Sequence, residues 1–203
     1  MKFILAKKLN MSSIFDENGK IVPVTALTAG PVKITQIKNL EKDKYSAIQV
    51  GYGTKRKITR SLQGHLKNAG NLRWLREFKV TDNKDIEAYK VGDEIKVDIF
   101  TEGENVNICG LSRGKGFQGV VKRHGFHGTH TTHGNKDQSR TSGSIGATTP
   151  QRVIKGRKMA GRTGGDVITI KKVKVMKIDK DNDLIYLKGA VPGKRGFLIE
   201  IFN

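Results

Sequence analysis

The stretch "KIVPVTALTAGPVKITQIK", residues 20–38, is dense in Val, Ile and Thr and is broken once, at Gly30-Pro31. β-branched residues in short runs divided by Gly-Pro predict two strands. Further short segments continue the pattern: "YSAIQVGYG", "LRWLREFKV", "DEIKVDIF" and "NVNICGLS". It stops at Leu111 and resumes at Val167 with "DVITIKKVKVMKID", "DLIYLKG" and "FLIEIF", with Asp181-Asn182-Asp183 marking a turn. "SLQGHLKNAG", residues 61–70, is the one segment that reads as a short helix, and no internal repeat is visible. The pattern predicts a mainly β protein: a small antiparallel barrel from residues 1–112 and 166–203, one or two short helices, and a long extended insertion over 113–165.

Charge singles out the insertion. The 203-residue chain carries 38 Lys and Arg against 19 Asp and Glu, a net charge of +19. Residues 113–165 hold eleven of those cations and one acid, Asp137, together with twelve of the 24 glycines. Such a segment buries too little apolar surface to offset its own ordering entropy, so a partner must order it. The excess of one sign names the partner's chemistry, a polyanion. Folded out and back at about 3.3 Å per residue, the insertion would reach roughly 80 Å.

The chemistry-bearing residues fit binding better than catalysis. "VVKRHGFHGTHTTHG", residues 120–134, spaces His124, His127, His130 and His133 by three. On a helix that spacing drifts around the axis, and Gly125, Gly128 and Gly134 oppose a helix; no Cys, Asp or Glu stands among them to help hold a metal. Flat imidazoles can instead stack on bases and bond to phosphate or ribose. "GKGFQGVV" matches the glycine pattern of dinucleotide and kinase loops, but residue 139 is Ser where an acid is needed, and 203 residues leave little room for a kinase's lysine strand and acidic magnesium ligands. Glycines among cations suit close approach of backbone to phosphate. "RVIKGRKMAGRTGG", residues 152–165, is a second such stretch and includes Arg162; "TKRKITR" places Lys55, Arg56 and Lys57 beside the barrel.

Other residues read as structural. Carboxylates are scattered singly in turns such as Asp16-Glu17 and Asp93-Glu94, and Trp74 alternates with apolar neighbours as a core residue would. Cys109, the only cysteine, lies in an apolar strand, which favours a packed thiol and a reducing compartment. No catalytic residue, cofactor or metal is expected. The apolar run in "MKFILAKKLN" is short for a secretory signal and no segment has the length of a membrane span, so a cytoplasmic protein is expected.

In order along the chain, "ILAKKLNMSSIFDENGKIVPVTALTAGP", "LSRGKGFQGVVKRHGFHG", "THGN", "GSIGATTPQRVIKGRKMAG" and "LIYLKGAVPGKRG" resemble the signatures of the bacterial large-subunit ribosomal protein L3 family. The resemblance covers nearly the whole chain and implies a translation-protein-like barrel, early assembly into the large subunit, and a loop reaching through ribosomal RNA toward the peptidyl-transferase centre. It implies neighbours such as the ribosomal proteins L14 and L19, without membrane or homo-oligomer. Carried over, RNA contacts fall on Arg113, Lys115, Lys122, Arg123, His124, His127, His133, Arg140, Arg152, Lys155, Arg157 and Lys158, with the tip at Gly143, Ser144, Ile145, Gly146 and Ala147. Asn10, at an expected first turn, and Ser142 and Gln151, at the tip, depart from the family's usual residues. The rival readings are a free-standing nucleic-acid chaperone or compactor, and a metal enzyme using the histidines. A compactor needs a surface patch or tails, not one long insertion.

Overall fold

The structure, a computed structural model, describes residues 1–16, 18–66, 69–80, 89–131 and 134–203. Its contacts divide it into two compact units, Met1–Leu111 with Val167–Asn203, and Ser112–Asp166.

The first unit is built from two sheets. A closed antiparallel barrel has the order β1-β12-β7-β10-β11-β2, formed by β1 (Phe3–Phe15), β2 (Ile21–Ala29), β7 (Asn105–Leu111), β10 (Val167–Asp179), β11 (Leu184–Lys188) and β12 (Leu198–Phe202). Beside it lies a four-stranded sheet, β5-β4-β3-β6, from β3 (Val32–Lys38), β4 (Ala47–Thr54), β5 (Leu72–Lys79) and β6 (Glu94–Ile95). Strands covered on both faces are apolar throughout, and β1 begins this way: Phe3, Ile4, Leu5 and Ala6 are all buried. Phe3 stacks on Phe78 of β5 with ring centroids 4.8 Å apart, and one hydrophobic cluster runs from Ile108, Ile199 and Ile201 of the barrel to Ile34, Ile48 and Val50 of the second sheet.

Three glycines explain how the sheets fit. At Gly30, with φ of +76°, a Cβ would press on Ile4 Cδ1 and the Ile95 carbonyl, so only glycine lets the chain cross from β2 to β3 there. Gly51 and Gly53 of β4 clear room for β5: added Cβ atoms would lie 2.2 Å from Leu72 Cδ1 and 2.8 Å from Trp74 Cζ3. Trp74 settles between them, stacked on Tyr52 at 5.9 Å and packed against the core.

Most strands fall where the pattern puts them, with three corrections. "DEIKVDIF" is only briefly a strand: after β6 a 3-10 turn at Val97–Ile99 swings Phe100 inward, so Ile95, Val97 and Phe100 all reach the core. β1 went unpredicted because its second half is polar. Asn10 stands in no turn; it belongs to β1, where the register with β2 shifts between Lys8 and Met11. The helix expected over 61–70 is α2 (Arg60–Leu66), with residues 67 and 68 outside the described residues. A second, α1 (Leu40–Asp43), is a single turn that no periodicity can announce. Among the described residues no helix is long and apolar enough to cross a membrane.

Candidate nucleic-acid interface

Leu111 and Val167, where the chain leaves and rejoins the barrel, are register partners of β7 and β10. The Ser112–Asp166 unit then opens as a hairpin. Its foot is closed by Ser112 N–H donating to the Asp166 carbonyl at 2.8 Å and Asp166 N–H donating to Ser112 Oγ at 3.1 Å. Two three-residue strands follow, β8 (Gly116–Gln118) and β9 (Gly161–Thr163), pairing Gly116 with Thr163, Phe117 with Arg162 and Gln118 with Gly161.

A helix follows Gly119 after all, α3 (Val120–His124), but it is one turn and a half and ends at Gly125 in the left-handed region. His124 closes it, and the rest of the described histidine run is not helical. Arg123 Nη1 donates to the Met159 carbonyl at 2.8 Å, and His124 Nε2 lies 3.0 Å from the same oxygen. A carbonyl oxygen only accepts, so the pairing puts a proton on Nε2. Val120 is the one buried apolar side chain among the described residues of this unit. Backbone and polar ties do the work a core does elsewhere.

Farther along, Thr129 N–H donates to the Ser139 carbonyl at 3.2 Å, Thr129 Oγ1 donates to the Gln138 carbonyl at 2.8 Å, and Asn135 Nδ2 donates to Thr129 Oγ1 at 2.6 Å and to the His130 carbonyl. Gly128 admits this crossing, since a Cβ there would meet the Ser139 carbonyl oxygen at 2.2 Å. At the expected tip, Ser144 Oγ donates to the Gly146 carbonyl at 2.8 Å, and Arg157 Nη2 donates to the Ser144 carbonyl at 2.6 Å. Gly143, Ser144, Ile145, Gly146 and Ala147 border an open concavity with Gln151, Arg152 and Val153, and all five are exposed.

The predicted contact residues are presented outward. Arg113, Lys115, Lys122, Arg123, His127, Arg140, Arg152, Lys155, Arg157, Lys158 and Arg162 are exposed, and His124 is half-buried. His133 lies outside the described residues. Charge pairing separates the two units: the ion pairs among the described residues are Lys2–Glu104, Lys33–Glu94, Lys38–Glu77, Arg76–Glu200 and Lys180–Asp98, all in the first unit. Those of 112–166 have none. Nor does any group of three His, Cys, Asp or Glu converge as metal ligands would, among the described residues.

In the first unit, Lys55, Arg56 and Lys57 are exposed just beyond β4. Lys55 and Arg56 share a concavity with Arg73 and Trp74, the Arg73 guanidinium lying 4.4 Å over the Trp74 ring. A neighbouring hollow joins Arg73 and Trp74 to Lys194, Arg195 and Phe197, with Lys194 Nζ 5.2 Å over Phe197; half-buried Cys109 is in its wall. Sequence reading missed Arg73, Lys194 and Arg195. Their signal was the cation pair of "PGKRGF" between Gly193 and Gly196, both at positive φ, and an arginine on the strand position beside the only tryptophan.

The profile of a family described as Ribosomal protein L3 matches residues 34–183. The chain is 48% identical over 202 residues to a protein of Herpetosiphon aurantiacus named Large ribosomal subunit protein uL3, covering 98% of this chain and 94% of that one. A protein of the same name from Carboxydothermus hydrogenoformans is 47% identical, over 98% of this chain and 96% of its own length. One from Finegoldia magna is 42% identical, over 99% and 97%.

Proposed function

The chain belongs to the ribosomal protein L3 family, and from that premise we propose that it binds large-subunit ribosomal RNA chiefly through the Ser112–Asp166 unit. The family is one of structural ribosomal proteins rather than enzymes, which makes the chain a constituent of the large ribosomal subunit in the cytoplasm.

One observation carries the RNA reading: exposed cations crowd a segment in which, among the described residues, no ion pair forms. Eleven unneutralised cations in a segment with almost no buried apolar surface are unfavourable company for one another in isolation. Phosphates supply both the counter-charge and the ordering contacts, and release of their condensed counterions drives association. Positive-φ glycines at 116, 125, 128, 134, 143, 156, 164 and 165 keep the backbone bare enough for phosphate oxygens to reach its N–H groups.

In this reading residues 113–165 form the RNA-penetrating element and residues 1–112 with 166–203 the barrel that anchors it. Arg113, Lys115, Lys122, Arg123, His127, Arg140, Arg152, Lys155, Arg157, Lys158 and Arg162 contact RNA, as do Lys55, Arg56 and Lys57 from the barrel side. His124 turns its free ring edge to RNA while its other nitrogen holds Met159. Residues 143–147 brace RNA near the peptidyl-transferase centre, the protein joins the subunit early, and L14 and L19 are its protein neighbours; the ordered family signatures support these finer points. Hydroxyl-radical footprinting of large-subunit RNA with and without the protein is the test. Protection of one continuous RNA interior site is expected, and uniform weak protection would instead describe a compactor.

A further inference from the structure

We propose that Phe117 is a stacking seat for an unpaired RNA base, a contact that rests on the RNA-binding reading above and adds base recognition to its phosphate contacts. Phe117 is the middle residue of β8, yet it is 75% exposed. Strand residues usually bury one face against something; this two-stranded sheet has no layer of its own to cover the ring. Among the described residues no other aromatic ring stacks on Phe117 and no cation lies over it. Trp74 and Phe197, the aromatic residues of the first unit's hollows, each have a cation in place.

The surroundings fit a flat anionic ligand. Cβ atoms added at Gly114, Gly116 or Gly119 would meet nothing within 4 Å, so the chain on either side of the ring is open space. Arg162 is the cross-strand register partner of Phe117, and directly opposed residues project from the same face of a sheet. Both side chains therefore leave the same face of the hairpin, and the Arg162 guanidinium, which lies against Gly165, supplies that face with a cation for the phosphate of a nucleotide stacked on the phenyl ring. No acid occurs between Arg113 and Lys136 to favour a basic peptide instead. A phenyl ring stacks on any base, so the contact selects an unstacked nucleotide by its exposure rather than by its identity.

The test uses the full-length protein and a transcript of the large-subunit RNA, titrated at several salt concentrations. Phe117→Leu keeps an apolar side chain but loses the ring; it should weaken binding roughly 5- to 100-fold without changing the salt slope, and Phe117→Tyr should bind like the parent. If Phe117→Leu binds normally while Lys158→Ala weakens binding, the stacking seat is wrong and the RNA-binding reading stands. If neither change matters, and wild-type affinity is insensitive to salt, the RNA-binding reading fails and takes the seat with it. Normal RNA affinity of Phe117→Leu with failure to enter large subunits would give the ring to a protein neighbour and overturn the proposal. Equal weakening by Leu and Tyr would overturn it as well.

Discussion

The ring of His124 is tied across the hairpin to Met159: Nε2 lies 3.0 Å from the Met159 carbonyl oxygen, the same oxygen that accepts from Arg123 at 2.8 Å. This clasp joins the end of α3 to the approach of β9 in a unit with hardly any apolar core. Removing one such hydrogen bond costs about 0.5–1.5 kcal/mol. His124→Phe, which keeps a ring and loses the donor, should therefore speed exchange of the amides paired between β8 and β9 by about 2- to 10-fold. Ile108 in the barrel should exchange as before. Unchanged protection at β8 and β9 would mean the clasp does not hold the hairpin together.

Arg157 and Lys158 are adjacent and differently used. Arg157 Nη2 is 2.6 Å from the Ser144 carbonyl, while no hydrogen bond or ion pair engages the Lys158 side chain among the described residues. If each neutralises a phosphate, replacing both with Ala should flatten the dependence of log affinity on log salt by roughly 1–2, at about 0.7–0.9 per contact. Arg157→Ala should in addition make residues 143–147 easier to cleave by protease. A double variant with the parent's slope would place both side chains in solvent.

The fold was more legible than the site. Strands such as β4 and β7 bury alternate residues or whole runs, and Gly30-Pro31 marked the boundary between β2 and β3 because the crossing demands an unhindered backbone. β1 escaped because Lys7, Lys8, Asn10 and the two serines dilute its apolar start, and only its pairing with β12 and β2 holds them extended. Helices of four and five residues have no period to read. At the site, residue type and density gave the cation list. What a single sequence does not contain is cross-chain pairing: that His124 meets Met159, that Arg157 meets Ser144, or that Phe117 is left bare opposite Arg162.

The edge strand β5 carries a titratable device. Glu77 accepts from Lys38 Nζ at 2.9 Å, from Tyr45 Oη at 2.9 Å and from Gln49 Nε2 at 3.2 Å. The Lys38 hydrogen bond, joined by those of Tyr45 and Gln49 and opposed by partial burial, holds the Glu77 carboxyl below its usual range. A depressed carboxylate contributes stability that is complete above its unfolded pKa, about 4.3, and is lost as pH falls through the lower folded value. Glu77→Gln should therefore lower the denaturant midpoint at pH 7, with the gap to wild type closing below about pH 4. A gap that persists at pH 2 would show that packing, not charge, is responsible.

The most direct test of the account is subunit reconstitution with residues 125–155 replaced by a short Gly-Ser connector, which spares the barrel strands, the β8–β9 hairpin and the His124–Met159 clasp. Loop length alters stability only slowly, so the barrel should still unfold cooperatively, monitored through Trp74. Sedimentation of the reconstituted particles is the measurement. Immature particles that sediment more slowly than native large subunits are expected, because the cations of the β8–β9 hairpin and of the barrel side still bind RNA but nothing reaches its interior. Native sedimentation with the shortened protein stably incorporated would contradict the account, since residues 125–155 would then not be what the subunit requires of this chain.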